Sequence, residues 1–473
     1  MKIINNNFIK KININTLFGF WKTSGIFFLG SVLSKIINII LLPLYTSIIP
    51  TNDYGIYDVS LTYVNMAMYA LFFEVWSTVF RYMYDTKEKQ TIALSSGFAI
   101  YSSSVLVYIL LGYIISFYVH IQYYSFILLY GFMQTLTYFV SFVARGYNKD
   151  IDFAISGVIN TIITGSVNVF MLIYFNWDYS ALYLSYIIGS IIQVFYLEIR
   201  VKCFSNVDLK KIDYQLIREM LIFTLPLGFN AMGYWCLTSM NKLFVNVIMT
   251  NADSGIYGIC TKFSSLISFA TTCFTYAWQS VAFSHENKKH NDSLFYSTAS
   301  NLYAIAIGFG LIMLMPFIKT IYPYMVDKSY YAGEVVIPFT LFAAAMNAYT
   351  TFIGNILYSI KKTSGIFIST LVACILNVLL SYPMIKLMGL QGAAIAMTVS
   401  ILINVIIMVI IIKKYIDLRL NFRLLLLIFA GIICSTVIFY NLSVISNAIW
   451  FLILFILLIV FLSSSIYNIN CKN

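Results

Sequence analysis

Three lysines, Lys35, Lys242 and Lys262, stand inside long apolar stretches of a 473-residue chain that is 60% hydrophobic and only 10% charged. A Lys at the centre of a membrane-spanning helix costs about 2.5–3.5 kcal/mol on insertion scales, so each asks for a cavity or a partner. Their neighbours are polar at helical spacing. Lys35 lies with Ser31, Ser34 and Asn38; Lys242 closes a run of Asn230, Tyr234, Thr238 and Asn241; Lys262 aligns with Ser265, Ser268 and Thr272. Such spacings place side chains on one helix face. A fourth stripe is formed by Asp58, Thr62, Asn65 and Tyr69. Glu74 and Arg81 occupy another face of that same stretch, seven residues apart, and suit an extended polar contact near a membrane surface. Asp58 and Glu74 are candidates for ion coupling or for structure, and Glu74 leans to structure. The chemistry on offer is that of cations in a low dielectric. Lys acts there as a point charge for an anion such as a phosphate or an acidic sugar. A cation exporter would be expected to display carboxylates as proton carriers instead. For Lys242, about five residues from its helix end, snorkelling and a cavity role stand level, whereas Lys35 and Lys262 lie deeper and favour the cavity.

The elements that must hold these residues are membrane spans. Apolar runs recur from residue 23 onward, and most reach the roughly 20 residues that a helix needs to cross a hydrocarbon core. Breaks rich in charge or turn residues delimit fourteen helices. They lie near 23–45, 57–80, 92–118, 122–144, 153–175, 180–199, 220–247, 256–283, 294–318, 333–357, 363–385, 390–412, 422–441 and 446–467. With the N-terminus in the cytoplasm, 23 of the 29 Lys and Arg fall in cytoplasmic segments. Three (Lys319, Lys328, Lys386) fall on the opposite side, and the remaining three are Lys35, Lys242 and Lys262. That asymmetry follows the positive-inside rule and places both termini in the cytoplasm. It also accounts for the net charge of +11 as a topology signal and an attraction to anionic lipid, with no nucleic-acid surface implied.

Composition excludes several classes. Scattered apolar residues in 1–22 do not form a secretory core, so no cleavable signal peptide is expected. The seven Cys show no metal-ligand or CxxC spacing, and five fall in helices, so neither disulfide, metal site nor cofactor is expected. A membrane glycosyltransferase or polysaccharide polymerase would need an acid/base constellation in a long outer loop. The longest such loop, about 319–332, holds only Lys319, Asp327 and Lys328 as charged residues, and the chain is not expected to be an enzyme.

The halves share a plan. Asp53-Tyr54-Gly55-Ile56-Tyr57 follows the first helix, and Asp253-Ser254-Gly255-Ile256-Tyr257 follows the seventh. Asn168-Val169 in the fifth helix is echoed by Asn377-Val378 in the eleventh. An even number of spans per half makes the repeat parallel, and transporters of that kind place substrate between the halves and rock them alternately. The division reads as an N-terminal lobe 1–199, a cytoplasmic linker 200–219, a C-terminal lobe 220–412 and an additional helix pair 413–473. The 37 Tyr and 39 Phe exceed what interfacial belts need, and Tyr offers a sugar both a flat face and a hydroxyl.

Lys22-Thr-Ser-Gly25 through Leu41-Leu42-Pro43-Leu44-Tyr45, then Asp53-Tyr-Gly-Ile-Tyr57 and Phe80-Arg81-Tyr82, resembles the opening of bacterial polysaccharide flippases. Leu225-Pro226-Leu227, Asn241-Lys242, Gly255-Ile256-Tyr257 and Lys262 continue the likeness. These translocases of lipid-linked O-antigen or capsule units belong to the multidrug/oligosaccharidyl-lipid/polysaccharide exporter superfamily. The resemblance implies two six-helix lobes and alternating access in the bacterial inner membrane. The substrate it implies is undecaprenyl-pyrophosphate bearing a short oligosaccharide, moved to the periplasmic leaflet. Partners implied are membrane lipid, a polysaccharide polymerase and a chain-length regulator. Carried over by position, Lys35, Arg81 and Lys242 match basic sites of the family, with Asn38, Asn241 and Lys262 beside them. Where the family often has Asp-Arg, this chain has Asn241-Lys242, which removes a carboxylate available for ion coupling. The multidrug branch usually has twelve spans and acidic sites; a peptidoglycan-precursor flippase fits the same residues.

Overall fold

Helix is what a bilayer demands of a chain with this many apolar runs, because it satisfies every backbone polar group within the segment. A computed structural model describes residues 37, 39–85, 90–284, 292–360, 362 and 364–470, and these carry fifteen α-helices and two short 3-10 segments, with no strand. In chain order the helices are α1 (Leu42–Ile48), α2 (Thr51–Phe72), α3 (Val75–Asp85), α4 (Gln90–Tyr118), α5 (Tyr124–Gly146), α6 (Asp150–Tyr174), α7 (Ser180–Val201) and α8 (Tyr214–Ile248). They continue as α9 (Asn251–Ser284), α10 (Asp292–Met325), α11 (Ile337–Ser359), α12 (Ser364–Met388), α13 (Leu390–Lys413), α14 (Phe422–Asn441) and α15 (Val444–Asn470). Among the described residues, ten helical segments are long and apolar enough to cross a membrane. The protein is thus an all-α, multi-span membrane protein. Helices α2 and α9, though long, are not among the ten; both carry the polar stripes noted above. Most of the expected first span, with Lys35 and Asn38, lies outside the described residues.

The second expected span departs from a single helix. It begins at Thr51, where Pro50 precedes Asn52 and Asp53 at the helix start, and it breaks at Phe73 and Glu74. Both residues adopt left-handed φ, +46° and +59°. No Gly or Pro marks this break. Phe73 instead turns its ring onto Phe229 of α8 at 5.7 Å, and Gly228 is the residue that admits it.

The chain divides into two compact units drawn by packing, not by helix count. Of the described residues, the first comprises 37, 39–41, 63–85 and 90–232, and the second 42–62, 233–284, 292–360, 362 and 364–470. In the first, α3, α5 and α7 pack around Phe72, Trp76, Tyr101 and Phe139, with Tyr101 stacked on Phe139 at 4.5 Å. Buried and half-buried amides tie its helices together. Asn160 donates to Gln193 at 2.6 Å, Gln193 donates to Ser141 and Ser156, and Ser185 donates to Asn168 at 2.7 Å. In lipid, helix association rests on close packing and such hydrogen bonds, because the tails are as apolar as the side chains. The second unit is built on α9, α11, α12 and α13, with α10 carrying the final pair α14 and α15. Its aromatic core stacks Trp278 on Phe352 at 4.4 Å and Tyr303 on Phe352 at 4.5 Å.

The repeat has a structural meaning within the second unit. Counterparts lie 200 residues apart, and α2 and α9 cross at Gly55 and Gly255. A Cβ on Gly55 would lie 1.7 Å from the Asn251 carbonyl oxygen, and one on Gly255 would lie 2.3 Å from that of Thr51. Each glycine therefore admits the first turn of the other's helix. At the start of α9 the Asp253 N–H donates to the Thr250 hydroxyl at 3.1 Å, and that hydroxyl donates to the Asp253 carboxylate at 2.6 Å.

Candidate functional site

One turn beyond the glycine crossing, α2 presents Asp58 to α9. At the equivalent position α9 has Gly258, where a Cβ would lie 2.4 Å from the carboxylate Oδ2 of Asp58. The carboxylate thus fills the space that a side chain at 258 would take. Lys242, arriving from α8, puts its Nζ 2.8 Å from the same oxygen. The Asp58 side chain is 9% exposed and that of Lys242 21%. Removing either partner of so buried a pair strands the other, at a cost of about 3–5 kcal/mol.

Lys262 completes the cluster one turn deeper on α9, about 16 Å from the helix start at 1.5 Å per residue. Its Nζ lies 5.1 Å from the ring centre of Tyr54 and 5.7 Å from that of Tyr45. An ammonium so placed is attracted by the ring faces. Among the described residues no carboxylate lies within ion-pair distance of it. Tyr54 is fully buried, and its hydroxyl has no hydrogen-bond partner among those residues. Its ring is held by Tyr57 at 5.9 Å and Tyr330 at 6.3 Å, and Tyr330 in turn donates to the Ile49 carbonyl. Two lysines and one aspartate from three helices thus leave one net positive charge within a membrane-embedded unit. Such a cluster can hold an anion; among the described residues no three His, Cys, Asp or Glu gather into a metal site.

The other residues singled out in the sequence go elsewhere. Asn241, next to Lys242, is fully buried and donates to the Ala393 carbonyl at 2.5 Å, while accepting from Asn377 at 2.6 Å. It joins α8, α12 and α13 rather than the lysines. Glu74 occupies the α2–α3 break and accepts from Ser77 at 3.3 Å, and Arg81 lies on an exposed part of α3. Tyr45 and Tyr54 stood in the sequence motifs but not among the candidate site residues, and Gly258 was not singled out at all. The signal for Gly258 is the repeat itself: extended five residues past Asp53 and Asp253, its register sets Asp58 against Gly258, and four further on Thr62 against Lys262.

Residues 20–283, more than half of the chain, match the family model described as polysaccharide biosynthesis protein. The chain belongs to that family. Among solved structures, the chain is similar to the lipid II flippase MurJ in an inward closed conformation. The TM-score is 0.70 at 17% identity, covering 94% of this chain and 99% of that one. It is also similar to a multidrug resistance MATE family transporter of the MOP superfamily, facing inward, with TM-score 0.63 and 10% identity over 85% of this chain and 95% of that one. A third likeness is to a MOP superfamily transporter from Pyrococcus furiosus whose binding pocket is described as having reverse polarity. There the TM-score is 0.57 at 13% identity, over 83% of this chain and 94% of that one. No curated protein sequence matches at a significant level. Identities this low show a shared fold, and the proteins that share it are transporters and flippases rather than enzymes.

Proposed function

We propose that the protein is a flippase for a polyprenyl-pyrophosphate-linked oligosaccharide, moving repeat units for O-antigen, capsule or exopolysaccharide from the cytoplasmic to the periplasmic leaflet by alternating access. The observation that carries this reading is the placement of Lys262 beside Lys242: a half-buried ammonium held by tyrosine rings and, among the described residues, in ion-pair contact with no carboxylate. A diphosphate is the chemistry that two such lysines suit, and the sugar would meet the tyrosine faces. Family membership supports a role in polysaccharide assembly. The charge asymmetry supports cytoplasmic termini; the resemblance to bacterial polysaccharide flippases supports an inner-membrane location, two six-helix lobes with an added helix pair, and a polymerase and chain-length regulator as downstream partners. Lys35, Asn38 and Arg81 remain proposed contributors to the substrate path.

A second reading has a specific observation behind it. The likeness to the lipid II flippase spans nearly the whole of both chains, and a peptidoglycan precursor fits the same cationic site.

The deciding experiment scores the leaflet distribution of lipid-linked oligosaccharide with an impermeant sugar-modifying reagent in cells lacking the protein. Accumulation on the cytoplasmic side, corrected by the wild type but not by Lys262→Ala at equal protein level, is the expected result. An unchanged distribution of the oligosaccharide, with the peptidoglycan precursor trapped instead, moves the assignment to the second reading. Full correction by Lys262→Ala sinks the site.

A further inference from the structure

The two lysines of the site are filled unequally. Lys242 meets Asp58 at 2.8 Å, while among the described residues Lys262 meets the rings of Tyr45 and Tyr54 and makes no ion pair. Asp58 lies within electrostatic range of Lys262 as well. Its carboxylate occupies a slot that exists because residue 258 is glycine, with Oδ2 and Cγ at 2.4 Å and 2.8 Å from where a Cβ would stand. The pair, moreover, bridges separate helices: Asp58 comes from α2, Lys242 from α8 and the slot from α9. A carboxylate that only anchored a helix could be served by any neighbouring donor. This one is set on a cation of the anion site itself.

We propose that Asp58 is a resident counter-ion that the substrate's diphosphate displaces from Lys242 on binding, and that returns to Lys242 to drive release. The inference rests on the reading of Lys242 and Lys262 as the anion site. Its physical basis is the cost of an empty site. Two lysines left bare in a low dielectric would destabilise the unloaded protein and then hold a diphosphate too firmly to let it go. Passage through a membrane needs binding favourable enough to enter and weak enough to leave. A carboxylate on a neighbouring helix meets both needs. It compensates Lys242 when no substrate is present, and it competes for that lysine when substrate is. Lys262, which has no such competitor within ion-pair reach among the described residues, makes the first contact. Asp58 is therefore a positioning residue for turnover, and its signature is an affinity that rises when it is removed.

The test is equilibrium binding of inorganic pyrophosphate to the purified full-length protein in lipid nanodiscs, paired with the leaflet assay in cells. Asp58→Asn, which keeps the size and removes the charge, is expected to bind pyrophosphate at least about tenfold more tightly than the wild type. The same variant is expected to lose export. Lys262→Gln is expected to bind more weakly. Gly258→Ala provides a second route, since its methyl group wedges the carboxylate away from Lys242 without deleting it; it too should tighten binding. Should Asp58→Asn fail to accumulate, Gly258→Ala decides. Equal or weaker binding by both variants, with Lys262→Gln still impaired, overturns the counter-ion role and leaves the anion site standing. Wild-type binding by Lys262→Gln removes the anion site, and the inference with it.

Discussion

Asn241 and Lys242 are neighbours in sequence, yet their side chains do different work. Adjacent positions on an α-helix point about 100° apart, so a stripe that admits both cannot face one surface. Lys242 turns to Asp58, while Asn241 enters the packing of α8 against α12 and α13. The residue types alone marked both as buried and polar; the facing was illegible because stripes with gaps of one, three and four tolerate two registers. The amide cluster has a consequence of its own. Replacing Asn377 by Leu deletes donors to Asn241 and to the Leu237 carbonyl, and strands the Asn241 oxygen. Hydrogen bonds between membrane helices average about 0.6 kcal/mol and reach about 1.7, so a loss of that order is expected. Thermal unfolding of the purified protein should show a lowered midpoint with pyrophosphate binding retained. Loss of binding at an unchanged midpoint would place Asn377 and Asn241 in the site after all.

At the scale of elements, hydropathy places most helices within a few residues of their observed ends, and the α2–α3 break leaves no mark in it. Gly and Pro are the usual punctuation, and neither stands at Phe73 or Glu74. Left-handed backbone at two successive non-glycine residues is unfavourable and persists only where packing over-determines it. Here the packing comes from a different helix: Gly228 would carry a Cβ 2.3 Å from the Phe73 ring and 2.6 Å from its Cα. The tertiary partner of the break was thus 155 positions away in the chain, beyond any local pattern. Gly228→Leu should push Phe73 out, with an overpacking cost of about 1–3 kcal/mol. A lowered unfolding midpoint together with faster proteolysis near residue 73 would show it; a wild-type midpoint would mean that the break does not depend on this contact. The glycine crossing of α2 and α9, by contrast, was legible as a repeat. Only its purpose was hidden, since a shared turn motif says nothing of close approach until both backbones are in view.

For the whole molecule, hydropathy and charge carried the fold class, and they did so because the bilayer enforces helix length and leaves basic residues on one side. What they do not carry is which spans gather into which unit. Residues 42–62 pack with the second unit and 200–232 with the first, an arrangement set by side-chain fit and not by helix number. The orientation proposed here can be read directly. In a cysteine-free background, Asn176→Cys should react with an impermeant thiol reagent added outside intact cells, and Lys202→Cys should react only after the membrane is opened. Both side chains are exposed. The reverse pattern would invert the protein and place its basic segments outside.

The opposition of Asp58 and Gly258 bears on how such a protein could arise. These positions are counterparts under the repeat, and they face each other where α2 and α9 cross. Two identical halves associating about a two-fold axis would put the same residue at both. Two aspartates would clash and repel, and two glycines would leave Lys242 without its anion. The site needs one of each, so it lies beyond the reach of a symmetric dimer of half-length chains. A single chain carrying both positions can hold a charge at one and make room for it at the other.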